Sequence, residues 1–203
     1  MPRVPDEDRK ARPYAPRKSP EERREQLLDA ALRVTVRDGI HKVSMDTVSK
    51  EAGVTRPVIY GVFTDTNDLL SAFLAREETA VIAQMSPILP TVGDEDPGAA
   101  VLIFLERFLM AVQEAPARWR AVFALVDSTA AAFRERVERG RRVLISVLED
   151  LLRIEDPDED TELYARAILA LMWDAGRTVL AEPDQFPPER ITTFARKLLQ
   201  RLP

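Results

Sequence analysis

The chain has 203 residues, of which 45% are apolar and 31% charged, a balance that fits a soluble globular protein of one large domain or two smaller ones. It has no Cys and a single His, so disulfides, thiolate metal sites, cysteine nucleophiles and multi-histidine metal centres are excluded, and a Ser-His-Asp triad would have to use His41. The net charge of −5, from 29 Lys+Arg and 34 Asp+Glu, taken alone disfavours nucleic acid as a partner.

No run approaches the ~18 apolar residues of a membrane span. The first residues carry charges with no apolar stretch behind them, unlike a secretory signal. A cytoplasmic protein without a membrane partner is expected. Glycine is scarce, at 7 residues, and the apolar spacing is helical almost throughout. The expected fold is therefore all-α, with about nine helices.

Residues 1–18 hold four prolines, few apolar groups and a local charge excess of +3, and read as a flexible basic arm. Ser19-Pro20-Glu21-Glu22 has the pattern of a capping box with proline at the first helical position. The helix it opens carries Leu28, Ala31, Leu32 and Thr35 and is expected to stop before Gly39. Ser44 caps a short helix bearing Met45, Val48 and Ala52, closed at Gly53. Thr55 caps a second one with Val58, Ile59 and Val62. Asp65 opens a longer helix to about Met85, joining the two parts of the chain.

Residues 86–98 read as a loop. Apolar stripes then run through Val101–Val112 and, after Pro116, through Trp119–Val126. An Arg-rich helix follows, in which Arg134, Arg136, Arg139, Arg141 and Arg142 are interleaved with Glu135 and Glu138. That pattern favours a solvated face over a second nucleic-acid patch. Glu155–Asp160 is an acidic loop, Leu163–Leu180 a helix that is apolar nearly all round, and the last helix carries a clean stripe including Ile191, Phe194, Ala195 and Leu198.

Two helices of about two turns joined by Ala52-Gly53-Val54-Thr55 make a helix-turn-helix, whose second helix enters the DNA major groove. The run Ala52-Gly53-Val54-Thr55-Arg56-Pro57-Val58-Ile59-Tyr60-Gly61-Val62-Phe63, followed by Asp65 and Leu69-Leu70, resembles the N-terminal domain of TetR-family transcriptional repressors. The likeness covers roughly residues 20–75, with Leu28, Ala31, Gly39, Ser44 and Thr47 at matching spacing. It implies that Thr55, Tyr60, Ser44 and Thr47 bond phosphates and that Arg56 and Pro57 meet base edges. Val58, Ile59 and Phe63 would pack. Tyr60 also reads as a half-buried aromatic. Lys42 would add a cation. Three positions depart from the family: Thr66 stands where a lysine phosphate contact is usual, and Gly61 and Val62 where His, Tyr or Arg is often found, Gly61 permitting close backbone approach.

The implied organisation is the arm at 1–18, the helix-turn-helix domain at 19–66 and a helical ligand-binding and dimerisation domain at 67–203. Two helices from each of two chains would form the dimer interface, through Ile168, Leu171, Ala175, Thr178, Ile191, Phe194, Ala195 and Leu198. Phe104, Phe108, Trp119, Phe123, Tyr164, Met172, Trp173 and Arg177 are candidate lining of an effector pocket, with ordinary core as the competing reading. Arg177 and Asp174, three apart, are expected to pair.

The resulting expectation is a non-enzymatic homodimeric repressor with no cofactor or metal. It would bind a palindromic double-stranded operator and leave it on binding a small-molecule effector. The competing readings are a helix-turn-helix protein acting mainly through protein contacts, and a helical ligand-binding protein with no specific operator. Divided at residue 66, the charge no longer opposes DNA: residues 1–66 hold 13 Lys+Arg and 11 Asp+Glu, the remainder 16 and 23.

Overall fold

A computed structural model describes residues 18–91, 96–126, 131–152 and 160–200. Nearly all of the basic arm and most of the acidic loop lie outside the described residues. Among those described there is no strand. The helices are α1 (Pro20–Asp38), α2 (Met45–Glu51), α3 (Arg56–Tyr60), α4 (Thr66–Met85), α5 (Pro97–Glu114), α6 (Pro116–Val126), α7 (Ala131–Leu152), α8 (Thr161–Ala181) and α9 (Pro188–Leu199). The all-α architecture matches the sequence expectation.

The helix ends follow from local chemistry. Ser19 Oγ accepts from the Glu22 amide at 3.1 Å, while the Glu22 carboxylate accepts from the Ser19 amide at 2.7 Å, the reciprocal box that the sequence predicted. Gly39, at φ 86°, ends α1 in a region that side chains avoid. Asp65 accepts from the Asp68 amide at 2.9 Å to start α4. The loop expected through residue 98 is shorter: Asp96 caps α5 by accepting from the Ala99 amide at 2.8 Å, so Pro97 and Gly98 are its first helical residues.

Two apolar cores form. The first gathers Leu27, Leu28, Ala31 and Val34 of α1 with Met45 and Val48 of α2, Ile59 of α3, Phe63, and Leu69 and Phe73 of α4. Leu125 of α6 joins it from the other half of the molecule. The second gathers Phe104, Phe108, Trp119, Phe123, Leu148, Leu169 and Met172 from α5 to α8, with Met85 from the end of α4. Helix α4 thus serves both cores.

A charged cluster fastens the junction. Glu77 of α4 is 2% exposed. Its carboxylate accepts from Arg118 Nε of α6 at 2.9 Å and pairs with Arg76 at 2.7 Å. Arg76 reaches onward to Glu25 at 3.1 Å and Asp29 at 2.8 Å on α1. Burial disfavours the Arg76 charge, but bonds to Glu77, Asp29 and Glu25 outweigh it and hold its pKa above the ordinary arginine value. Nearby, Arg136 of α7 pairs with Glu78 of α4. Buried charge is tolerated here because every carboxylate oxygen of Glu77 meets a guanidinium.

Replacing Arg118 with Ala leaves Glu77 with Arg76 alone. The expected loss is about 1.5–3 kcal/mol, the range for hydrogen bonds to charged groups. It stays below the cost of stranding a buried charge completely, because Arg76 remains. Urea denaturation of Arg118→Ala against the parent chain reads this directly.

Candidate nucleic-acid interface

Helices α2 and α3 are short, and their geometry is set by their caps and neighbours. Ser44 and Thr47 form a second reciprocal box: Ser44 Oγ accepts from the Thr47 amide at 3.1 Å, and Thr47 Oγ1 accepts from the Ser44 amide at 2.9 Å. Thr47 Oγ1 also donates to the Lys42 carbonyl at 2.7 Å, so its proton is already placed. Ser44 Oγ lies 2.9 Å from Thr47 Oγ1, and its proton can rest there or turn outward. Gly53 takes φ 67° in the turn, and Gln26 of α1 donates from Nε2 to the Ala52 carbonyl at 2.9 Å, tying the turn to the first helix. On α2, Glu51 accepts from Arg33 at 2.8 Å and Arg37 at 2.7 Å, both on α1, which lowers its pKa.

Helix α3 buries Ile59, and Phe63 just beyond it is buried too. The Arg24 guanidinium lies over the Phe63 ring, 4.9 Å from its centroid. The other side of α3 is open. Thr55, Arg56, Pro57, Tyr60 and Gly61 are all exposed, Tyr60 by 55%. Thr55 caps α3 without a side-chain bond, which leaves its hydroxyl uncommitted. Lys42 is exposed beside the start of α2, and Thr66, the first residue of α4, is partly buried. Arg56 pairs with Asp46 of α2 through Nε and Nη2, one bond to each carboxylate oxygen. Hydrogen bonds from Arg56 hold the Asp46 carboxyl below the usual aspartate range. This pair places the front of α3 against the first turn of α2.

Residues 27–73 match the family described as bacterial regulatory proteins, tetR family. The N-terminal domain is a TetR-family helix-turn-helix domain. Over 77 residues the chain is 35% identical to HdnoR of Paenarthrobacter nicotinovorans, an HTH-type nicotine-responsive transcriptional repressor, covering 37% of this chain and 38% of that one. It is 29% identical over 176 residues to an uncharacterized HTH-type transcriptional regulator of Mycobacterium tuberculosis, covering 84% of this chain and 73% of the relative. The chain spans about a third of the length of the first curated relatives it matches, at 32%, 38% and 34%. In fold it is similar to the crystal structure of a TetR-like transcriptional regulator from Rhodococcus sp. RHA1, with a TM-score of 0.72 and 24% identity, covering 93% of this chain and 100% of that one.

In this TetR-family domain the structure brings Thr55, Arg56, Pro57, Tyr60 and Gly61 onto one open helix face. Lys42, Ser44 and Thr47 stand at the start of the neighbouring helix. Sequence reasoning missed Asp46 and Gln26. Their partners lie ten and 26 residues away, beyond the reach of any helical period.

Farther along the chain, most of the candidate pocket residues form one packed aromatic core. Phe108 and Trp119 meet edge to face with centroids 5.2 Å apart, Trp119 and Phe123 lie 5.8 Å apart, and Phe123 and Trp173 meet edge to face at 4.9 Å. Phe104 and Met172 are buried in the same core. Tyr164 is not among them: it is 51% exposed on α8. Arg177 turns toward Phe123, donating from Nη2 to its carbonyl at 3.4 Å with the guanidinium 5.7 Å from the ring centroid. The expected partner Asp174 is exposed. A cleft of about 310 Å³ opens elsewhere, beside Gln84, Ile88, Arg107 and Met110, and none of the expected lining residues borders it.

Of the expected interface residues, Leu171 and Phe194 are each 65% exposed and Leu198 is exposed as well. Ile168, Ala175, Thr178, Ile191 and Ala195 are partly buried. Sequence reasoning also missed Gly176. A Cβ there would lie 2.9 Å from Phe123 Cζ and 3.0 Å from two Phe108 ring atoms, so α8 crosses the aromatic core only because this position has no side chain. Gly176→Ala is expected to lower stability by about 1–3 kcal/mol, as overpacking does, despite the gain in helix propensity. Thermal unfolding of the variant checks it.

Proposed function

We propose that the protein is a homodimeric, effector-responsive transcriptional repressor that reads double-stranded DNA with α3. One observation carries this reading. In a TetR-family domain, α3 is anchored by Ile59 and Phe63 and turns Thr55, Arg56, Pro57 and Tyr60 outward together. Thr55, Tyr60 and Ser44 would donate hydroxyl hydrogen bonds to phosphates. Lys42 and Thr66, at the start of α4, would add to the same surface. Arg56 suits guanine and Pro57 a thymine methyl, while Gly61 lets the backbone come close. Thr47 contributes by holding Ser44 and the start of α2, since its own proton goes to Lys42.

The exposed apolar residues Leu171 of α8 and Phe194 and Leu198 of α9 support dimerisation about a two-fold axis. Such a dimer would present two α3 helices to a palindromic operator. The aromatic core of Phe104, Phe108, Trp119, Phe123, Met172 and Trp173, edged by Arg177, is the proposed effector region, opening to admit an apolar molecule. Responsiveness to a small molecule and repression are the properties named for the related HdnoR. The change would pass through α4, which is packed into both cores. A cytoplasmic location belongs to this reading.

Selection of genomic fragments on the full-length protein is expected to yield a palindrome bound in the nanomolar range. Tyr60→Ala and Arg56→Ala should each weaken binding by about 10–100-fold, as loss of 1–3 kcal/mol would. Selection that returns no common sequence at low salt overturns the reading.

For the dimer, the paired substitution Leu171→Asp and Phe194→Asp is expected to give a folded monomer in analytical ultracentrifugation, with operator binding lost. A double variant that still sediments as a dimer moves the interface elsewhere.

A further inference from the structure

We infer that Asp46 is a positioning residue that aims Arg56 and sets how strongly the protein prefers one base. The inference rests on the proposed reading of DNA by α3. The two side chains come from different helices, Asp46 from the first turn of α2 and Arg56 from the first residue of α3. Both are substantially exposed, at 45% and 67% of the side chain, so no general burial forces them together. They meet in one specific geometry: Nε goes to one carboxylate oxygen and Nη2 to the other.

That geometry decides what Arg56 has left. A guanidinium carries five N–H donors in a rigid plane. The side edge, Nε–H and one Nη2–H, is taken by Asp46. The end edge remains, formed by the second Nη2–H and an Nη1–H lying parallel. This fork is the one that matches the O6 and N7 acceptors of guanine. Asp46 therefore does not consume the reading edge of Arg56. It fixes the plane of the guanidinium and points the free fork away from α2.

The support for Arg56 is itself fixed. The Asp46 carbonyl accepts from Ser49 Oγ at 3.0 Å, and the residue sits inside the Ser44–Thr47 capping box. An exposed arginine without such a partner would sample many rotamers and find phosphates as readily as bases. The Asp46 carboxylate opposes that in a second way, because its charge offsets the attraction of Arg56 for any phosphate oxygen. Both effects lower binding to arbitrary DNA and spare binding to a site with guanine in register.

The test uses the full chain and its selected operator, with every base pair varied singly. Arg56→Ala locates the base pair that Arg56 reads, as the position whose preference disappears. Operator binding without any such position leaves DNA recognition standing and overturns the inference. Where the position is found, Asp46→Ala and Asp46→Asn are expected to cut its preference from about 10–100-fold to about 3-fold or less. Binding to unrelated DNA should tighten, and Asp46→Glu should restore part of the preference. Thermal unfolding within a few degrees of the parent confirms that the exposed substitution left the fold intact. A variant that keeps the full preference, or that tightens on all sequences by one common factor, overturns the inference. Asp46 would then be a simple competitor for the Arg56 charge.

Discussion

Helices α2 and α3 have seven and five residues, too few to persist unaided in water, where helices shorter than about 12–15 residues are marginal. The surface that they offer therefore exists only because other parts of the chain hold it. Met45, Val48, Ile59 and Phe63 enter a core whose walls are α1 and α4. Polar ties add direction to that burial: Gln26 to the Ala52 carbonyl, and Glu51 to Arg33 and Arg37. With one side of α3 committed to the core, its remaining residues have to face outward, and these are the residues of the proposed DNA surface.

The same dependence links this surface to the rest of the molecule. Helix α4 is a wall of the first core through Leu69 and Phe73, and it reaches the second through Met85. Between those contacts sits Glu77, buried and bonded to α6 through Arg118 and, by way of Arg76, to α1. A rotation of α4 would have to break or carry this cluster with it. On the proposed reading, the aromatic core would reach α3 by that route, since α6 contributes Trp119 and Phe123 to the second core and Leu125 to the first. The physical content of the coupling is then a two-state choice in packing and ion pairing, shared by α1, α4 and α6.

Local chemistry was legible in the sequence and remote chemistry was not. The box at Ser19, the caps at Ser44 and Asp65 and the stops at Gly39 and Gly53 each depend on residues within four positions, and all appear where the residues predict them. The aromatic core was legible as apolar stripes, because helical spacing alone assigns a face. Tyr164 shows the limit: on a helix with apolar residues nearly all round, period does not tell an inward face from an outward one, and the hydroxyphenyl group lies outside. Gly176 was unreadable for a different reason. Its role is set by Phe108 and Phe123, on two other helices, and a mid-helix glycine carries no local mark of what crosses it. The pairs Asp46–Arg56 and Glu77–Arg118 likewise depend on how helices cross.

Electrostatics gain meaning from these pairings. Residues 1–66 have a formal excess of +2 by composition, and three of their arginines are paired with carboxylates. Arg33 and Arg37 serve Glu51, and Arg56 serves Asp46. On the elements flanking α3, Lys42 and Lys50 are exposed. Helices α2 and α3 by themselves would neutralise few phosphates, so the salt-dependent, sequence-blind part of any DNA affinity that they supply would be small. Affinity would then have to come from hydroxyl bonds to the backbone, close approach at Gly61 and base contacts at the front of α3. Those contributions are directional and fail together when the register is wrong. On the proposed reading, α2 and α3 would then hold DNA only where the sequence fits.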